Sequence, residues 1–191
     1  MPQGIPVNPV EKSVFWLKAF EKLPIIPIMI DSPSQMTFLA AEGYLELGML
    51  DDAMQEYERL SARTKQSVEG LTLLVEIHRA AGNAEELEFF AEQLCIIDPD
   101  NVDRWIDLAL ALRSIENARE LLLEAADRFP DTALVHFHLA RFECSLGNLA
   151  LAKEHLGRSK KLCPVCRVLA LTDESDLLPI WADHSAPHLA F

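Results

Sequence analysis

Positive charge is scarce in this chain. Its 191 residues include 17 lysines and arginines against 30 aspartates and glutamates, a formal net charge of −13. The deficit is local: residues 31–100 hold 15 acids and 4 bases, whereas 101–191 hold 13 and 10. Such a surface repels phosphate backbones and anionic headgroups, so neither nucleic acid nor membrane is an expected partner. Long apolar runs are also missing. The most apolar stretch, LPIIPIMI (23–30), is broken by prolines and is far short of the roughly 20 residues that cross a bilayer. The opening MPQGIPVNPVEKSVF has no basic stretch leading into an unbroken apolar run, which does not read as a secretory signal, and the expected compartment is the cytoplasm. Glycine is sparse and never clusters into a phosphate-cradling loop or a nucleophile elbow. The six histidines form no H-E-x-x-H pair. No catalytic residue, cofactor or metal is therefore expected. Cysteine is limited to Cys95, Cys144, Cys163 and Cys166, and a chain with half its residues apolar needs no disulfide staples.

What glycine there is falls at telling places. Gly48 interrupts an amphipathic pattern in GYLELGMLDDAMQEYERL; Gly82 follows 34 residues later and Gly147 another 65. Ala53, Leu87, Ala118 and Ala152 are separated by 34, 31 and 34 residues, and Pro99, Pro130 and Pro164 by 31 and 34. One register thus runs through the chain, with a three-residue deletion in the third unit, LALALRSIENARELLL, which also lacks the glycine. The chemistry fits a helix–turn–helix unit. Glycine takes the left-handed position that ends the first helix. Asp51, Asp52, Glu85 and Glu86 face the positive end of the second helix's dipole. Proline stops that second helix. Asp31-Ser32-Pro33 and Asp98-Pro99-Asp100 read as starts of the next one. Small residues such as Ala41, Ala53, Ala109, Ala140 and Ala152 let paired helices approach closely.

A 34-residue helix–turn–helix period carrying these residues resembles the tetratricopeptide repeat (TPR). Unit one (34–67) supplies Ala40, Ala41, Tyr44, Gly48, Ala53, Tyr57 and Leu60; unit two (68–101) supplies Leu71, Leu74, Val75, His78, Gly82, Leu87, Ala91, Leu94 and Pro99. Unit three (102–132) supplies Trp105, Leu108, Ala109, Leu112, Ala118, Leu122, Ala125 and Pro130; unit four (133–166) supplies His136, Leu139, Ala140, Gly147, Ala152, Leu156, Ser159 and Pro164. The ending VLALTDESDLLPIW (168–181) and the stretch GYLELGM (43–49) also resemble those of a loosely defined group of small bacterial TPR proteins. The resemblance implies an all-α fold: a right-handed α-solenoid of about four TPR-like hairpins, with capping helices at both ends. Residues 1–33 would hold an N-terminal capping helix (10–22) and a linker, 34–166 the repeats, and 167–191 a C-terminal cap with Leu177, Leu178 and Trp181 as its apolar side, then a tail.

It further implies a non-catalytic protein-interaction module or adaptor that binds a peptide or helical segment in the concave groove. The groove would be lined by Phe38, Glu42 and Leu45, by Thr72, Glu76 and Arg79, by Ile106, Leu110 and Arg113, and by Phe137 and Arg141. Phe38, Ile106, Leu110 and Phe137 would be apolar anchors. Arg79, Arg113 and Arg141 would either receive a carboxylate of the partner or pair with nearby acids. The lysine–asparagine clamp by which some TPR domains hold chaperone tails is not expected, because Phe38, Glu42, Leu73, Asp103 and Asp107 occupy the matching positions. A self-associating structural subunit is the alternative. A zinc or thiol role for CPVC (163–166) ranks lower, since a closed zinc site needs four ligands and no second pair exists.

Overall fold

The computed structural model describes residues 32–163 and 177–182. The expected N-terminal capping helix and linker, Cys166 and the C-terminal tail lie outside them. The chain divides into two compact units at Arg113/Ser114, and every regular element among the described residues is a helix.

The first unit contains α1 (Ser32–Glu46), α2 (Leu50–Glu58), α3 (Ala62–Lys65), α4 (Val68–Ala81), α5 (Ala84–Ile97) and α6 (Val102–Ala111). The turns between α1 and α2 and between α4 and α5 share one device. Gly82 sits at φ 71° and ψ 20°, a conformation costly to a residue with a Cβ. The Asn83 N–H then reaches back to the His78 carbonyl at 3.0 Å, satisfying one of the helix's orphan acceptors. Met49 N–H and the Tyr44 carbonyl repeat this bond at 2.9 Å. Ala41 and Ala53, both 0% exposed, let α1 and α2 approach, and Tyr57, Leu60, Leu73, Leu74 and Ile77 complete that core. Each large apolar side chain buried there contributes about 1.5–3 kcal/mol, against about 0–1 for a surface ion pair, so packing sets this architecture.

Three local features depart from the repeat pattern. The second helix of unit one breaks after Glu58 and restarts as α3, where the Ser61 hydroxyl accepts from Thr64 N–H at 3.2 Å. Gly70 then brings α4 against the Thr64 carbonyl. Asp98-Pro99-Asp100 does not open the next helix. Asn101 caps α6 instead, its side-chain oxygen accepting from Asp103 N–H at 3.0 Å, while Asp98 binds Asn101 and Arg104. Pro99 has a different use: its carbonyl accepts from the buried Trp105 indole at 2.8 Å. Finally, the three-residue deletion is taken out of the hairpin. α6 ends at Ala111 with Leu112 extended, and no glycine turn follows.

The second unit contains α7 (Ile115–Arg128), α8 (Ala133–Ser145), α9 (Leu149–Leu162) and α10 (Leu178–Ala182). The α8–α9 turn returns to the glycine device, with Gly147 at φ 80° and Asn148 N–H bonded to the Glu143 carbonyl at 2.8 Å. Leu177 and Ile180 pack α10 against Phe137, Ala140, Cys144, Ala152 and Leu156. Leu178, expected on the apolar side, is 60% exposed; one helical turn from Leu177 falls on Ile180 rather than on its neighbour.

Candidate interaction groove

In the first unit a cavity of about 450 Å³ opens between α1 and α4. Phe38, Glu42, Leu45 and Glu46 line it from α1, Val68, Glu69, Thr72, Leu73 and Glu76 from α4, and Arg104 from α6. Of the residues expected from sequence, Phe38, Glu42, Leu45, Thr72 and Glu76 therefore come together. Their spacing explains this: 38, 42 and 45 form one stripe of α1, and 72 and 76 one stripe of α4. Glu46 lies one turn beyond Glu42 and could have been found by the same spacing. Arg104 could not, because it arrives through the packing of α6. Phe38 and Leu45 are half-buried at the edge of the unit's core. The Thr72 hydroxyl donates to the carbonyl of Val68 at 2.7 Å, so its methyl group remains for contacts.

The other expected wall residues are placed differently. Ile106 and Phe137 are only 7% and 4% exposed, so neither is an open anchor; Phe137 is covered by the side chains that dock α10. Leu110 is 46% exposed but does not line the cavity. Arg79 bonds to Glu76 on its own helix and, at 2.8 Å, to Asp107 on α6. Arg113 lies beyond the shortened α6 and reaches Glu85 and Glu88 of α5, both at 3.2 Å. Arg141 is in the second unit, 3.5 Å from the His138 Nδ1. The arginines thus pair with the protein's own groups, and they do not assemble a carboxylate receptor on this cavity.

The second unit holds a separate polar cluster. Glu143 is 0% exposed. One of its oxygens accepts from Arg119 Nε at 2.6 Å and the other from Asn148 Nδ2 at 2.7 Å. Beside it the rings of His136 and His155 stack at 5.5 Å, with their Nδ1 atoms 3.3 Å apart. Burial, then the charge of Arg158, holds His136 below the usual imidazole range. Burial lowers His155 too, with Glu143 and Glu154 opposing and Arg158 and Arg119 reinforcing. Burial and Arg141 bring His138 down to about 4. A histidine whose folded pKa is depressed stabilises the fold fully above its unfolded value near 6.5 and loses that contribution as pH falls. Urea midpoints should therefore decline between pH ~6.5 and ~4, with up to about 3 kcal/mol from His138. His138→Gln should flatten the decline, and an equally steep profile in that variant would show that His138 is not its source.

Cys163 is half-buried and Cys95 and Cys144 are buried; none is in a disulfide. No group of three or more His, Cys, Asp or Glu among the described residues is placed to hold a metal. No helix among them is long and apolar enough to cross a membrane.

No family model matches the sequence, and no curated protein does. Solved structures do match. The thermophilic TPR protein TTC0263 of Thermus thermophilus aligns over 88% of this chain and 90% of its own, at 20% identity and a TM-score of 0.57. MamA (41-end) of Desulfovibrio magneticus RS-1 aligns over 83% of this chain and 100% of its own, at 11% identity and a TM-score of 0.61. A further MamA structure covers 83% of this chain and 97% of its own, at 15% identity and a TM-score of 0.59. At such identities the likeness establishes architecture, which agrees with helical hairpins recurring in a 34-residue register. The described residues have an all-α, TPR-like fold of helical hairpins.

Proposed function

We propose that this protein is an interaction module that holds a peptide or helical segment of a partner protein in the groove between α1 and α4. The cavity itself carries the reading. It is about 450 Å³ in volume, walled by regular helices, floored by Phe38, Leu45, Val68 and Leu73, and rimmed by charge. An apolar cleft with a few polar groups at its edge suits a segment that lays alternate or i, i+4 side chains into it. A photo-crosslinking residue in place of Thr72, inside the cavity, should capture the partner. The same residue in place of Gln55, exposed on α2, should not. Capture from both positions, or from Gln55 alone, would remove the groove from the proposal.

Self-association is a second reading with its own observation. Met36 and Leu39, 74% and 53% exposed, mark one face of α1 with Gly43 at helical spacing, and Leu47, just beyond the end of that helix, is 74% exposed. Light scattering at micromolar concentration should then report a dimer or larger. A monomer throughout that range would leave the groove as the protein's sole proposed contact surface.

A further inference from the structure

The charge around the cavity defines its partner more closely. We infer that the α1–α4 groove receives a cationic segment, in which lysine or arginine flanks large apolar residues; this rests on the proposal that the groove is the binding surface. Among the described residues, four carboxylates, Glu42, Glu46, Glu69 and Glu76, line the cavity, and Arg104 is the one cation that does. Arg104 already lies 3.2 Å from Asp98 and 3.9 Å from Asp107, and Glu76 is bonded to Arg79. Among the described residues Glu42, Glu46 and Glu69 have no ion-pair partner. Glu42 and Glu46 stand one turn apart on α1, and Glu69 faces the same cavity from α4. Bringing a carboxylate-bearing segment here would add like charge to an apolar cleft, whereas ammonium or guanidinium groups would meet the three unpaired glutamates.

The surrounding surface points the same way. Residues 32–113 carry sixteen acids and six lysines or arginines, whereas 114–163 carry seven of each. The long-range field of the first unit therefore steers cations toward it, an effect that salt screens. The field alone would attract any cation anywhere on this unit. The cavity supplies the selection, because Phe38, Leu45 and Val68 can take apolar side chains only where the glutamates are within reach of the flanking charges.

Two fluorescent peptides test this on the full chain. They share the same leucine and phenylalanine positions, and carry either lysine or glutamate between them. The lysine peptide should bind at least about tenfold tighter than the glutamate peptide and weaken as salt is raised from about 50 to about 300 mM. Glu42→Gln with Glu69→Gln, both at exposed positions, should reduce its affinity about tenfold. Thr72→Trp, which fills the cavity, should abolish binding while helicity by circular dichroism is kept. Equal binding of the glutamate peptide, lost in Thr72→Trp, would overturn the cationic class and leave the groove standing. Lysine-peptide binding that survives Thr72→Trp would place it elsewhere on the acidic surface and overturn both. Binding of neither peptide would overturn the cationic inference, with crosslinking at Thr72 then deciding the groove.

Discussion

Replacing Arg119 with alanine is expected to lower the unfolding free energy by about 3–5 kcal/mol, the usual result of leaving a buried charge without its partner. Arg119 Nε donates to Glu143 at 2.6 Å, and that carboxylate is 0% exposed, whereas the Arg119 side chain retains 28% exposure. Truncating the arginine leaves Asn148 as the remaining donor, a neutral one, at 2.7 Å. Water entering the gap would recover part of the loss through the side of Arg119 already open to solvent, which favours the lower half of the range. The pair itself contributes much less than the truncation costs. Desolvating two ions offsets most of their attraction, so Arg119→Leu with Glu143→Leu should be far closer to the native protein than either single variant. A double-mutant cycle by urea unfolding measures this, with an expected coupling above about 1.5 kcal/mol. A cost below about 0.5 kcal/mol for Arg119→Ala, in the range of an exposed surface pair, would show that the interaction is solvated in solution.

Glu143 also shows how far the sequence can be read. Tyr44, His78 and Glu143 fill one place in the register, each four residues before its turn glycine. In all three, the carbonyl accepts from the residue after the glycine. Backbone devices of this kind are local, and the 34-residue period exposes them. The side chains at the same place are not interchangeable. His78 stacks on Phe90 at 5.3 Å with Asn83 3.3 Å from its ring nitrogen, whereas Glu143 requires Arg119, 24 residues earlier. Nothing periodic announces that pairing. The groove divides along the same line. Phe38, Glu42 and Leu45 share a stripe because they share a helix. The fates of Arg79 and Arg113 depend on acids on neighbouring helices, 28 residues away in the cases of Asp107 and Glu85. The deletion in the third unit is legible as a number, but not the place where the chain absorbs it. Ending α6 at Ala111 carries Arg113 off the helix, and its guanidinium goes to α5.

Gly70→Ala should destabilise the protein by about 3 kcal/mol or more, the upper end of what overpacking costs. Helix propensity alone says the reverse: alanine is favoured over glycine by about 1 kcal/mol in a helix interior. Gly70 lies within α4, its N–H bonded to the Ser67 hydroxyl at 3.1 Å. A Cβ there would stand 2.0 Å from the Thr64 carbonyl oxygen, 2.9 Å from its carbon and 3.1 Å from the Lys65 Cα. All three are backbone atoms, so no rotamer change relieves the clash. The carbonyl cannot swing away cheaply either, because it accepts from Ser67 N–H at 3.1 Å. Either α3 shifts and strains its cap at Ser61 and the Ser67 N–H bond to Thr64, or α4 moves off the core containing Leu73, Leu74 and Ile77. The latter also displaces Val68, Glu69 and Thr72, and with them one wall of the groove. Gly157→Ala provides the control: Gly157 is inside α9, and an added methyl group would meet nothing within 4 Å, so that variant should gain up to about 1 kcal/mol. Opposite signs at two helical glycines, read from urea midpoints, would confirm that close backbone approach governs position 70. Equal stabilisation at both would mean that α3 and α4 stand farther apart than the structure has them.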